Sequence, residues 1–208
     1  YWGSNTTGVY KLAVVNGKLT RIATLSKPGN ALSGLATPTS GAYTVVDIEN
    51  TFYTVQGTTV LAYRDAQPGN LHSPIVLARS ITLPASLASG DDAIVGLNLL
   101  WDGNLAFATR GGKAGVIARD FTRVQGVTLG AGDEEVSNSI ATDEQGGIYV
   151  VSSKAMYRVQ WTGAAVSLHP ATGAWRAEYN AGSGGTGGGR LGAGSGSTPT
   201  LMGTSGQK

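Results

Sequence analysis

One unit returns along this chain. Tyr10-Lys11, Tyr63-Arg64 and Tyr157-Arg158 each close a short apolar run, and Ala118-Arg119 takes the same slot in a fourth copy. The copies stand 53, 55 and 39 residues apart. A unit of that size, rich in short alternating segments, is the mark of a β-propeller or a related repeat array. The repeat constrains architecture far more than chemistry.

Each copy reads as short strands separated by turn residues. Residues 136–168 divide into strands at Val136–Thr142, Gly147–Ser152, Ala155–Gln160 and Ala164–Leu168. Asp143-Glu144-Gln145-Gly146 and Trp161-Thr162-Gly163 supply the residues that tight turns need. The preceding copy spans Ala93 to Leu129, with Trp101-Asp102-Gly103-Asn104 as its first turn. Before it, Thr44 to Asp65 holds the Gln56-Gly57 turn, and a longer loop leads to an outer strand at Ile75–Leu83. The first copy lacks its inner strand and has Asn16-Gly17 as a type I′ hairpin signal. No window keeps apolar spacing at i, i+3, i+4 and i+7, so no long helix is expected.

The fold class is therefore all-β: a propeller of about four blades in this chain, with residues 1–178 forming the blades. Residues 179–197 read as a glycine-rich inter-blade loop, nine of the fifteen residues 182–196 being glycine. No Gly-Lys-Ser/Thr follows, so a flexible loop is favoured over a phosphate cradle. Thr37-Pro38-Thr39 and Thr198-Pro199-Thr200 each precede an inner strand in this register. Residues 198–208 then begin a further blade or a closing strand.

A blade is apolar on both faces and needs a neighbour on each side. An apolar patch of more than roughly 300–600 Å² is unusual on a soluble monomer. At about 25 cal/mol per Å², each bare end face forgoes on the order of 8–15 kcal/mol. That equals the whole stability of a typical domain, roughly 5–15 kcal/mol. The expectation is a ring of six to eight blades, completed by missing chain or a second polypeptide. A closed four-bladed ring, with the Thr198 strand joining the first blade, is the alternative. The start at Tyr1, with no initiator Met, suits either processing or a fragment.

Net charge is +2, and no basic stripe interleaves with aromatics, so nucleic acid is not an expected partner. No apolar run reaches about 20 residues, so no membrane span is expected. The chain has no cysteine, which excludes disulfides, thiolate metal sites and cysteine nucleophiles. Low charge with many small residues suggests an exported bacterial protein, secreted or periplasmic.

Chemistry concentrates in two acidic loops. Gly90-Asp91-Asp92 precedes one inner strand, and Gly132-Asp133-Glu134-Glu135 precedes the next. Asp91, Asp92, Glu134 and Asn138 are the candidate ligands for a hard cation such as Ca²⁺ at a channel mouth. The competing reading is a pair of solvated loops. His72 and His169, the two histidines, sit near outer strands or loops. No Gly-x-Ser-x-Gly elbow appears. Trp2, Trp101, Trp161 and Trp175 recur at blade edges and turns, where packing is the expected role.

The stretch SNSIATDEQGGIYVVSSKAMYRV resembles blades of the NHL-repeat, gluconolactonase/strictosidine-synthase-like and quinoprotein-like propellers. Asn138, Ile140, Asp143, Gly146, Gly147, Ile148 and Tyr149 carry the likeness. Trp175 to Gly203 also resembles a bacterial propeller family of undetermined role. In lactonase-like members a Glu, two Asn and an Asp hold a cation that polarises an ester carbonyl, and Asn138 maps onto that set. Quinone-dependent members use a vicinal cysteine pair, which this chain lacks.

The function expected is an exported ligand-binding or scaffolding propeller with no complete catalytic site in this chain and a small-molecule ligand. The alternative is a metal-dependent lactonase or esterase-like hydrolase with its cation at the central channel.

Overall fold

A computed structural model describes residues 1–5, 7–27, 43–180 and 197–203. The strands fall into four antiparallel sheets, divided between two compact units, Tyr1–Thr82 and Leu83–Lys208.

The first unit holds two sheets. Strands β1 (Trp2–Ser4), β2 (Gly8–Val15) and β3 (Lys18–Ser26) pair in that order. Asn16 (φ 50°) and Gly17 (φ 74°) turn β2 into β3, as the Asn-Gly signal requires. Strands β4 (Val45–Val46), β5 (Phe52–Gln56), β6 (Thr59–Asp65) and β7 (Ile75–Thr82) form the second sheet. The sheets meet through Val9, Phe52, Leu61, Tyr63 and Ile75. Trp2 stacks on Phe52 with ring centroids 5.5 Å apart. The buried Lys11 ammonium donates to Asp65 at 2.5 Å and to the Leu71 and Ser73 carbonyls.

The second unit repeats the pattern. Strands β8 (Ile94–Leu99), β9 (Leu105–Thr109), β10 (Lys113–Ile117) and β11 (Val124–Thr128) form one sheet. Strands β12 (Ala141–Thr142), β13 (Gly147–Val151), β14 (Ala155–Trp161), β15 (Val166–Ser167) and β16 (Trp175–Glu178) form the other. Ala106, Ala108, Ala114 and Val116 of one sheet pack with Ile148, Val150, Tyr157 and Val159 of the other. Small side chains on one sheet opposite large ones let the faces approach closely.

Two strand expectations are corrected. The inner strand expected over Val136–Thr142 forms ladder pairs only at Ala141–Thr142. Its start bonds elsewhere: Val136 N–H donates to Arg110 O, and the preceding Glu135 O accepts from Ser153 N–H. Ile140 then lies against Gly96, where a Cβ would come within 2.9 Å of the Ile140 side chain. The outer strand expected over Ala164–Leu168 forms but is shorter, pairing with β14 only at Val166–Ser167. Pro170 has no N–H to continue a ladder, and Pro170–Thr172 form a single 3-10 turn. His169 Nδ1 caps the turn by accepting from Ala171 N–H. The chain then returns as β16 along the other end of β14.

The tyrosine–basic pairs lie on β2, β6 and β14 but not in one register. Tyr63 and Tyr157 are buried, whereas in β2 it is Lys11 that turns inward. Ala118-Arg119 falls just beyond β10. Thr37-Pro38-Thr39 and residues 182–196 lie outside the described residues. Residues 197–203 form no strand, so the strand expected from Thr198 is not formed within them. Among the described residues no helix is long and apolar enough to cross a membrane.

Candidate functional site

The carboxylates sort into those that build turns and those left open. Asp143 is the clearest builder. It precedes β13, and its Oδ1 accepts from the Gln145 and Gly147 N–H groups at 2.9 and 2.7 Å. Its Oδ2 accepts from Tyr149 OH at 2.9 Å and from Arg158 at 2.9 and 3.2 Å. Burial pushes this carboxyl up, but the Gly147 N–H, Arg158 and Tyr149 together outweigh it and hold the pKa below the ordinary value. Asp47 repeats the device before β5, accepting from Glu49 and Thr51 N–H and from Tyr53 OH. Both turns follow the spacing Asp, four residues to a backbone donor, two more to a tyrosine. Asp102 varies it, bracing Asn104 N–H and accepting from Trp161 Nε1 at 2.6 Å.

Glu134 is also a builder. Its buried carboxylate accepts from Ser152 Oγ, from Tyr157 OH at 2.7 Å and from Arg176 at 3.1 Å. Burial alone would raise its pKa; the bonds from Ser152, Tyr157 and Arg176 hold it below the ordinary value. Gly130 makes room for it, since a Cβ there would stand 2.2 Å from Glu134 Oε1. Neighbouring Asp133 is exposed and paired with Lys154. Asn138 is half-buried, and its amide donates to Ser137 Oγ at 3.0 Å.

Asp91 and Asp92 are brought together with different partners from those expected. They line an open pocket of about 490 Å³ that also takes in Arg110, Lys113 and Glu135, with Ala85 and Leu87 as apolar wall. Asp92 Oδ1 accepts from Ala93 N–H and Gly111 N–H, both at 2.8 Å, and so pins the β9–β10 turn. Gly112 (φ 71°) completes that turn where a Cβ would meet Glu134 O at 2.2 Å. Lys113 Nζ donates to Thr128 Oγ1 at 3.0 Å. Among the described residues Arg110, Asp91 and Glu135 have no side-chain partner.

The four expected ligands therefore divide. Asp91 and Asp92 share the pocket, while Glu134 and Asn138 do not line it. Among the described residues no three His, Asp or Glu side chains gather as a metal site requires. Sequence reasoning missed Arg110 and Lys113, although the Arg-Gly-Gly-Lys turn that carries them was a visible signal. His72 is exposed in the β6–β7 loop. Trp161 is buried and Trp101 stands 76% exposed at its turn.

The chain matches no protein-family profile. It is 44% identical over 166 residues to an uncharacterized protein of Archaeoglobus fulgidus, a match covering 78% of this chain. The chain spans about 30% of the length of that relative. Among solved structures it is similar to a streptogramin B lyase, with TM-score 0.55 and 10% identity, over 86% of this chain and 51% of that one. It is also similar to virginiamycin B lyase from Staphylococcus aureus, with TM-score 0.50 and 15% identity, over 77% and 47% of the two chains. At such identities the likeness concerns architecture, and with the four antiparallel sheets it establishes that the chain has the β-propeller fold.

Proposed function

We propose that this chain is part of a larger propeller that serves as an extracytoplasmic binding or scaffolding domain, with the Arg110 pocket as its ligand site in the second unit. The observation that carries the reading is the pocket itself. Glu134 and Asp143, the buried carboxylates, are closed by hydrogen bonds, whereas Arg110, Asp91 and Glu135 line an open cavity of about 490 Å³ without side-chain partners among the described residues. That volume lies within the roughly 300–1,000 Å³ range of small-molecule sites. Completion of the ring by further chain or a second polypeptide fits the three-stranded first sheet and the half-length match to streptogramin B lyase. Export rests on composition alone: 13% charged residues with many small ones.

The hydrolase reading has no observation in its favour. Its cation needs Glu134, and that carboxylate already faces Ser152, Tyr157 and Arg176. The test is a thermal-shift screen of metabolite-sized compounds on the purified chain and on Arg110→Gln. Compounds that stabilise the first and not the second support the pocket. Equal responses from both proteins, or none from either, would defeat it.

A further inference from the structure

We infer that the Arg110 pocket takes a small zwitterion, a molecule with a carboxylate at one end and a protonated amine at the other. The inference rests on the pocket being a ligand site and names the ligand class. The pocket carries free charge of both signs. Arg110 is half-buried and makes no ion pair among the described residues. A guanidinium presents a planar fork of donors that matches a carboxylate in two parallel bonds. Lys113 stands on the same hairpin, one of its three donors on Thr128 and two remaining. Together they form a receptor for an anion.

Asp91 and Glu135 supply the opposite pole. Asp92 adds to it: Oδ1 accepts the Ala93 and Gly111 N–H groups, and Oδ2 remains as an acceptor. Asp91 and Glu135 are exposed and without side-chain partners among the described residues. Both come from loops that enter inner strands, whereas Arg110 comes from the β9–β10 turn, so positive and negative groups are presented by different segments. They line one cavity without pairing to each other. A singly charged ligand would satisfy one pole and meet like charge at the other. A zwitterion satisfies both. Its connecting methylenes would face Leu87, which is anchored over Gly126, where a Cβ would stand 2.9 Å from Leu87 Cδ2.

The test is calorimetric titration of the purified chain with glycine, 4-aminobutyrate and 6-aminohexanoate, which separate the two charges by increasing lengths. Hexanoate and hexylammonium are the single-charge controls. At least one amino acid is expected to bind at least about tenfold more tightly than both controls, and more weakly as salt rises. Arg110→Gln is expected to abolish the advantage over hexylammonium. A double Asp91→Asn, Glu135→Gln variant is expected to reduce the advantage over hexanoate, with Asp92 as the remaining acid. Circular dichroism melting of the variants should match the parent, since these side chains have no partners to lose. Controls that bind as well as the amino acids would overturn the zwitterion. If neutral or singly charged compounds then bind and Arg110→Gln removes them, the ligand site stands without it. If no compound binds, or none responds to Arg110→Gln, both readings fall.

Discussion

Replacing Asp143 by alanine tests how this fold closes its blades. The residue is 5% exposed, and its side chain accepts five hydrogen bonds, two from backbone N–H groups and three from Tyr149 and Arg158. Alanine leaves Arg158, itself 8% exposed, without its counter-charge. Arg158 keeps Gln160 Oε1, Gly173 O and Tyr149 OH, which softens the loss without neutralising the charge. Removing one partner of a buried pair typically costs about 3–5 kcal/mol. That is a large share of a stability of roughly 5–15 kcal/mol. The folded-state pKa of Asp143 is depressed, so its contribution is fully present above the unfolded value of about 4. It is lost as pH falls through the lower folded value. Urea unfolding of parent and variant at pH 7 should differ by about 3–5 kcal/mol. The difference should shrink steadily below about pH 4. A difference under about 1 kcal/mol at pH 7, within the range of an ordinary surface pair, would refute the reasoning. So would a difference unchanged by acid.

Lys11→Met should destabilise the first unit by about 3–5 kcal/mol, because Asp65 is left buried with only a 3.5 Å contact from Asn50. Adding Asp65→Leu should restore most of that loss in the same urea assay. Tyr157→Phe removes the hydroxyl that donates to Glu134 and accepts from Arg176, at a cost of about 1–3 kcal/mol read by thermal melting. Gly112→Ala places a Cβ against Glu134 O at positive φ, and should lower the melting temperature. Calcium titration by calorimetry should show no binding tighter than millimolar, since Glu134 is held by Ser152, Tyr157 and Arg176; a tighter site would revive the hydrolase reading.

Local chemistry made much of this protein legible in its residues. Asn16-Gly17, Trp101 to Asn104 and Asp143 to Gly146 turn where their composition says, because positive φ and side-chain caps act over a few residues. Alternating apolar runs gave four antiparallel sheets for the same reason: side-chain direction alternates along any strand. What tertiary structure decided depends on groups distant in the chain. Pro170 bars a ladder from running on past His169, but only the open side of β14 explains why Trp175–Glu178 returns to it. Asp91 and Glu134 look alike in sequence, each an acid in a glycine-bounded loop. Glu134 meets Ser152, Tyr157 and Arg176 and is enclosed, while Asp91 meets a cavity shared with Arg110. A carboxylate's role is set by which donors reach it, and those donors arrive from positions 18 to 42 residues away.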